Sequence, residues 1–304
     1  MHLIMTHASE NRTINTVGEY LRGRFGGKTV KLSIDGGFTC PNRDGAKGKG
    51  GCAFCSEHGS GELSSDIPGQ IKLLSGKWPD VSRYIAYFQS YTSTYAPAEE
   101  LRQKYRAALG HKNVVGLAIA TRPDCLPPDV LSLLAELKEQ TFLWMELGLQ
   151  TINEMTAQAM NRCYPLKVYD EATEKLSALD IPVVTHLILG LPGESRKDMF
   201  DSVKYVCGRK PFGLKLHLLN VVKGSPMEKL YPGYTPFGSP GEYIGLVCDL
   251  LETIPSEVTM HRLTGDVPRR LLIAPEWSYK KRTILNGISN EMKRRGSYQG
   301  CRCR

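Results

Sequence analysis

The run Val30-Lys31-Leu32-Ser33-Ile34 is followed closely by Thr39-Cys40-Pro41-Asn42-Arg43-Asp44-Gly45 and Gly50-Gly51-Cys52-Ala53-Phe54-Cys55. The rest of the chain takes its meaning from this stretch. The first five residues alternate apolar and polar, as a half-buried strand does. The loop after them is rich in glycine and carries three cysteines in a Cys-x11-Cys-x2-Cys spacing. Thiolates are the usual ligands of iron–sulfur clusters. Three of them on a four-iron cluster leave one iron free for a cofactor or substrate, and closely spaced glycines let the backbone wrap the inorganic core. Two other readings share the spacing. A structural zinc ion needs four ligands, with His58 available as the fourth. Cysteines also pack as small buried hydrophobes.

Moving outward, strand-like runs occupy Tyr84–Gln89, Val114–Ala120, Phe142–Leu149, Val183–Leu189 and Leu214–Val222. Helical patterns lie between them. Asp129–Glu139 places Val130, Leu133, Leu134 and Leu137 on one face, behind Pro127 and Pro128, which suit a helix entry. Ser195-Arg196-Lys197-Asp198 has the form of a helix-start signal, and Tyr169–Ser177 reads as a further helix. Six strands separated mostly by helices predict an α/β fold with a parallel sheet and right-handed crossovers. Periodicity leaves a partial barrel and an open doubly wound sheet equally admissible. Both bind ligands at the C-terminal ends of their strands. Residues 1–223 form the expected core, with the cysteine loop at 40–55. Residues 224–304 read as a turn-rich C-terminal extension.

Nine cysteines, an odd number, in a chain with no apolar export signal over Met1–Arg12 argue against a disulfide framework. A cytoplasmic location is the expectation. No apolar run approaches the roughly 18 residues of a membrane span. The net charge of +8 is concentrated: residues 280–304 carry Lys280, Lys281, Arg282, Lys293, Arg294, Arg295, Arg302 and Arg304 against Glu291 alone. Such a tail attracts phosphate backbones or anionic membranes, unless it is simply solvated and frayed. Cys125, Cys163, Cys207 and Cys248 have no metal-like spacing, and Cys301 and Cys303 read as surface thiols.

Alternation also assigns faces. Met145, Leu147 and Leu149 suit covering helices, which leaves Glu146, Gly148 and Gln150 on a polar interior. Lys215 and His217 on the sixth strand, Tyr87 and Gln89 on the second, Arg122 after the third and His186 on the fifth join the same interior. Each histidine alone suits a satisfied core position; the set points to a ligand cavity, because convergent buried polar groups are costly unless paired or used.

Three cysteines after the first strand of such a chain resemble the radical S-adenosylmethionine (SAM) superfamily. The long first spacing, with Cys-Pro-Asn-Arg-Asp-Gly and Gly-Gly-Cys-x-Phe-Cys-Ser, is similar to its YtqA/YhcC group, relatives of the Elongator catalytic subunit. Further resemblance lies in Tyr87–Tyr95, Thr121–Asp124, Glu146–Thr151, Leu189–Glu194 and His261-Arg262-Leu263-Thr264-Gly265-Asp266. The resemblance implies a partial (β/α)6 barrel and a [4Fe-4S] cluster on Cys40, Cys52 and Cys55. It implies SAM as cofactor, with Gln150 at the ribose, Arg162 at the methionine carboxylate and Gly190 beside the adenine. A reducing partner of flavodoxin or ferredoxin type would supply the electron that releases a 5′-deoxyadenosyl radical. The implied substrate is transfer RNA, whose 5-carboxymethylaminomethyl wobble uridine would become 5-aminomethyluridine. His261, Arg262 and Asp266 are candidate substrate-binding residues, and no residue is assigned a catalytic role. About 80 residues after the sixth strand are too few for Elongator's acetyltransferase domain. A protein or small-metabolite substrate stays open, as do a non-catalytic iron–sulfur carrier and a zinc nucleic-acid-binding module.

Overall fold

The computed structural model describes residues 13–303 apart from His58 and Ser60. The zinc reading through His58 and the reading of Met1–Arg12 therefore lie outside the described residues. Six strands stand where alternation predicts them: β1 (Thr29–Ile34), β2 (Arg83–Phe88), β3 (Val114–Thr121), β4 (Phe142–Gln150), β5 (Val183–Leu189) and β6 (Gly213–Leu218). The expected last run divides after Leu218. Val221–Val222 becomes β7, which leaves the sheet to pair antiparallel with Leu272–Ala274, two strands later. Between them Thr259–Arg262, β8, joins β6 in parallel as a seventh strand, and Leu272–Ala274 is β9. The main sheet runs β1-β2-β3-β4-β5-β6-β8, parallel throughout. Part of the C-terminal segment is thus built into the sheet rather than only packed on it. Four residues are too short a run to declare a strand by periodicity.

Ten helices accompany the described strands: α1 (Val17–Phe25), α2 (Ile67–Lys77), α3 (Ala98–Leu109), α4 (Pro128–Gln140), α5 (Glu154–Ala159), α6 (Leu166–Ala178), α7 (Arg196–Gly208), α8 (Pro226–Leu230), α9 (Pro240–Thr253) and α10 (Lys281–Arg294). Their starts follow local chemistry. Ser195 and Asp198 form a reciprocal capping box at α7, which satisfies backbone N–H groups that the first turn leaves free. In α4, Val130, Leu133, Leu134 and Leu137 are all buried, each contributing about 1.5–3 kcal/mol relative to exposure. They pack with Met145, Leu147 and Leu149 in the main core.

The opposite face of the sheet is concave. The Nζ of Lys215 on β6 lies 2.7 Å from the Tyr87 hydroxyl on β2. In a flat sheet those strands would stand about 19 Å apart. Lys31 on β1 likewise reaches to within 3.6 Å of Glu146 on β4. Only a curled sheet permits both contacts, so the partial barrel is the architecture. Leu21 of α1, with Val17, Tyr20 and Phe25, packs against Trp144, Phe142 and Phe212. This plugs the barrel at the starts of β4 and β6 and leaves the C-terminal ends of the strands open.

The segment before α1 is fastened to the far end of the chain. Met260 N–H donates to Asn15 O at 2.7 Å, Gln299 N–H to Thr13 O at 2.9 Å, and Asn15 N–H to the Gln299 side chain at 2.9 Å. Ion pairs hold the described part of the basic C-terminal segment. Arg295 pairs with Asp249, Glu252 and Glu291; Arg294 pairs with Glu291, Arg302 with Glu252, and Lys281 with Asp266. Much of the charge read as an RNA lure is thus neutralised within the protein.

Candidate active site

Cys40, Cys52 and Cys55 line one cavity at the open end of the barrel. The loop that carries them is stitched to residues 160–163. Fully buried Asn42 donates to Asn161 O at 2.5 Å and to Cys52 Sγ at 3.4 Å. Ala53 N–H donates to Met160 O at 2.9 Å, and Asn161 donates to Gly51 O at 2.8 Å. Gly51 has φ +80°, and a Cβ there would stand 2.9 Å from the Arg43 side chain, so the turn requires glycine. A hydrogen bond from Cys55 is the main reason the Cys52 thiol titrates at about 7; Arg122, Asn42 and Arg43 help it against burial. The same bond, with burial, pushes Cys55 up. Three soft sulfur donors lining one cavity suit iron–sulfur ligation. Among the described residues no three His, Cys, Asp or Glu side chains close on one point as a lone ion requires. A four-iron cluster takes each thiolate on a different iron and so accepts ligands spread more widely. The residues fit that cluster.

Deeper in the same cavity stands a buried charge network. Glu146 is 0% exposed and pairs with Lys215, with His186 at 2.8 Å and with Lys31 at 3.6 Å; Trp144 Nε1–H donates to it at 3.0 Å. Burial alone would raise the Glu146 carboxyl, but Lys215, Lys31 and His186 outweigh it and hold it well below the usual carboxylate range. Burial drives Lys215 well down despite Glu146. Burial, reinforced by Lys215, takes His186 down to about 4, and burial with Arg262 takes His217 well below its ordinary value. Both imidazoles are therefore neutral near pH 7. The two rings lie 5.1 Å apart, and His217 Nε2 is buried with no hydrogen-bond partner.

A model described as the radical SAM superfamily matches residues 40–206, and one described as the radical SAM C-terminal domain matches 211–294. The chain belongs to the radical SAM superfamily. The protein YtqA of Bacillus subtilis is 46% identical over 303 residues, covering 97% of this chain and 94% of that protein. YhcC of Escherichia coli K12 is 37% identical over 296 residues, covering 94% of each. A shorter match, 28% over 198 residues, is to a tRNA uridine(34) acetyltransferase of Dehalococcoides mccartyi, covering 62% of this chain and 40% of that one. Among solved structures, archaeal Elp3 from Methanocaldococcus infernus superposes with a TM-score of 0.68 at 16% identity, covering 89% of this chain and 64% of that one. This radical SAM protein is thus an enzyme whose cofactors are a [4Fe-4S] cluster and SAM. No helix among the described residues is long and apolar enough to cross a membrane.

The residues expected around SAM are placed unequally. Gln150 lines the cavity from the end of β4, with φ +72°, and a Cβ on Gly148 would stand 2.7 Å from its amide nitrogen. Arg162 also borders the cavity but is 1% exposed. Its guanidinium donates to Leu149 O, Thr151 O and Tyr164 O and pairs with Glu154. It clamps the strand end on which Gln150 sits. Gly190 does not border the cavity; its φ is +85° and a Cβ would meet Pro236 at 2.6 Å. Arg262 and Asp266 line the cavity, whereas His261 does not. Its ring lies beneath, against Trp144 and Phe212, bonded to Thr259 Oγ1 at 2.9 Å. The sequence reading missed Lys31, Asn42 and Tyr164. Lys31 carried a signal in the alternation of β1, whose polar face turns inward instead of to water.

Proposed function

We propose that this protein is a tRNA-modifying radical SAM enzyme that converts 5-carboxymethylaminomethyluridine, or its 2-thio form, at wobble position 34 to the 5-aminomethyl form. In this reading Cys40, Cys52 and Cys55 hold the cluster, and Gln150 contacts SAM on the strand end that Arg162 fixes. The observation that carries the reading is one cavity shared by the three thiols and a cationic polar floor, matched to a substrate with a carboxylate arm. The relative named as a tRNA uridine(34) acetyltransferase supports RNA as the substrate class.

Bound together, the reduced cluster and SAM supply a 5′-deoxyadenosyl radical able to abstract hydrogen from an unactivated carbon. The barrel's plugged end and buried floor keep bulk water from that radical, and the stitched loop fixes the thiols relative to the floor. Removal of a hydrogen atom from the methylene between nitrogen and carboxylate leaves a nitrogen-stabilised radical. Loss of one further electron and a proton gives an imine. Water then adds to the imine carbon, and carbon–nitrogen cleavage releases glyoxylate and the primary amine. That further electron would return to the oxidised cluster, so SAM, cleaved to methionine and 5′-deoxyadenosine, would be the net two-electron oxidant.

The decisive experiment reconstitutes the protein anaerobically, reduces it with SAM, and assays 5′-deoxyadenosine with transfer RNA that is unmodified or carries the carboxymethylaminomethyl group. Formation of 5′-deoxyadenosine stimulated by the modified RNA, with conversion of its wobble base, is expected. Radical formation without base conversion would move the substrate to another class.

A further inference from the structure

We infer that Arg262 and His217 form an anion subsite that holds the carboxylate of the substrate's two-carbon arm; this assignment rests on the substrate reading above. Lys215 and Arg262 line the floor of the cavity together with the carboxylates Glu146 and Asp266, and Lys31 reaches Glu146 from β1. Lys215 and Lys31 are both engaged by Glu146. Arg262 is not. Its nearest anion, Asp266, is 3.7 Å away, and Lys281 already holds that carboxylate at 2.5 Å. The Arg262 side chain is 22% exposed, so it is sheltered yet reachable. Arg262 is the register partner of Lys215, and His217, two residues further along β6 on the same face, lines the same cavity with its Nε2 buried and without a hydrogen-bond partner. A buried polar nitrogen left unbonded costs free energy that a ligand recovers. A guanidinium and an imidazole N–H together form a recognition pair for a carboxylate.

SAM also carries a carboxylate. Arg43 is tied to the cysteine loop, donating to Glu57 O at 3.2 Å and to Ser56 O. Arg262 instead stands on β8 in register with Lys215 of β6, which pairs with Glu146 and bonds the Tyr87 hydroxyl. It therefore belongs to the polar network of the barrel interior rather than to the cysteine loop. This placement has a consequence for turnover. The arm carries an amine beside its carboxylate, and cleavage removes the carboxylate alone. The product therefore lacks the anion that this subsite holds, which favours its release.

The test measures binding by fluorescence anisotropy, with the anaerobic reconstituted enzyme and no reductant. Anticodon stem-loop RNAs carry unmodified, 5-aminomethyl or 5-carboxymethylaminomethyl uridine. The wild type should bind the carboxymethylaminomethyl RNA about tenfold or more tightly than the aminomethyl RNA, as a charge-assisted pair predicts. Arg262→Gln should bring the two within about twofold, Arg262→Lys should fall between, and His217→Phe should weaken the preference. Melting curves check that each variant folds, and SAM affinity is measured in the same variants. Retained discrimination in Arg262→Gln, with the wild type converting the RNA, overturns the subsite while leaving the substrate reading intact. A loss of SAM affinity in Arg262→Gln matching its loss of RNA discrimination assigns the residue to the cofactor and also overturns it. A wild type that neither prefers nor converts the modified RNA refutes the substrate reading itself, and the subsite with it.

Discussion

Replacing Glu146 by Gln removes the one carboxylate that Lys215 and Lys31 share while keeping its shape. Lys215 is 1% exposed and Glu146 0% exposed, so water cannot take over the lost attraction. Breaking a buried pair by removing one partner costs about 3–5 kcal/mol. At about 2 °C per kcal/mol for a chain of this size, the melting temperature should fall by about 6–10 °C. The double variant Glu146→Gln with Lys215→Met removes both charges and should recover at least half of that, since an apolar replacement of a buried pair is often close to neutral. pH supplies a second signature. Burial already favours the neutral amine at Lys215, and without Glu146 the lone ammonium escapes by losing its proton. The unfolded chain keeps that proton to higher pH, so the single variant gains stability as pH rises. Its deficit should be larger at pH 6 than at pH 9. Thermal unfolding followed by circular dichroism at the two pH values measures all of this. A loss below about 1 kcal/mol at pH 6, or a double variant no more stable than the single one, would refute the reasoning.

Alanine at Cys40, Cys52 or Cys55 should each abolish iron retention and visible absorption after anaerobic reconstitution; full iron content in any one of them removes that residue from the ligand set. Glu194, bonded to the Thr151 hydroxyl, is raised to about 7 by burial, with Asp198 adding to the shift. Its folded form therefore holds a proton that the unfolded chain releases near 4.5, and stability drains away as pH climbs from 4.5 to about 7. Glu194→Gln should match the wild type at low pH and melt higher than it at pH 8, and equal melting curves at pH 8 would contradict this. Gly190 and Gly193 have nearly equal positive φ, +85° and +84°, but a Cβ meets Pro236 only at the former. Gly190→Ala should thus destabilise by about 1–3 kcal/mol more than Gly193→Ala in urea unfolding.

The strands and the polar interior were legible because alternation is a local signal. Glu146 between Met145 and Leu147 needed no knowledge of its partners to be assigned a face. The identity of those partners was not legible. Lys31 belongs to a strand whose inner face looked like a solvent face, and only sheet curvature brings it to Glu146. β8 was hidden for a related reason: Thr259–Arg262 is too short to show a period, and it exists as a strand because the edge of β6 awaits it. The charges of α10 and the following turn read as a loose basic tail, since Asp249 and Glu252, which neutralise Arg295, lie more than 40 residues earlier. Gly190 and His261 show the converse limit. A motif locates a residue along the chain, but whether it faces the cavity or the packing behind it depends on the neighbouring element.

The tie between residues 13–15 and residues 260 and 299 bears on how the chain matures during synthesis. The ribosome delivers α1, the plug of the barrel, well before β8 and the turn after α10, whose backbone groups anchor its approach. The plug must therefore wait for its anchor while the intervening strands assemble. Contacts of such long sequence separation form late and slowly. Closure of the barrel's plugged end is thus coupled to the arrival of α10 and the turn that follows it.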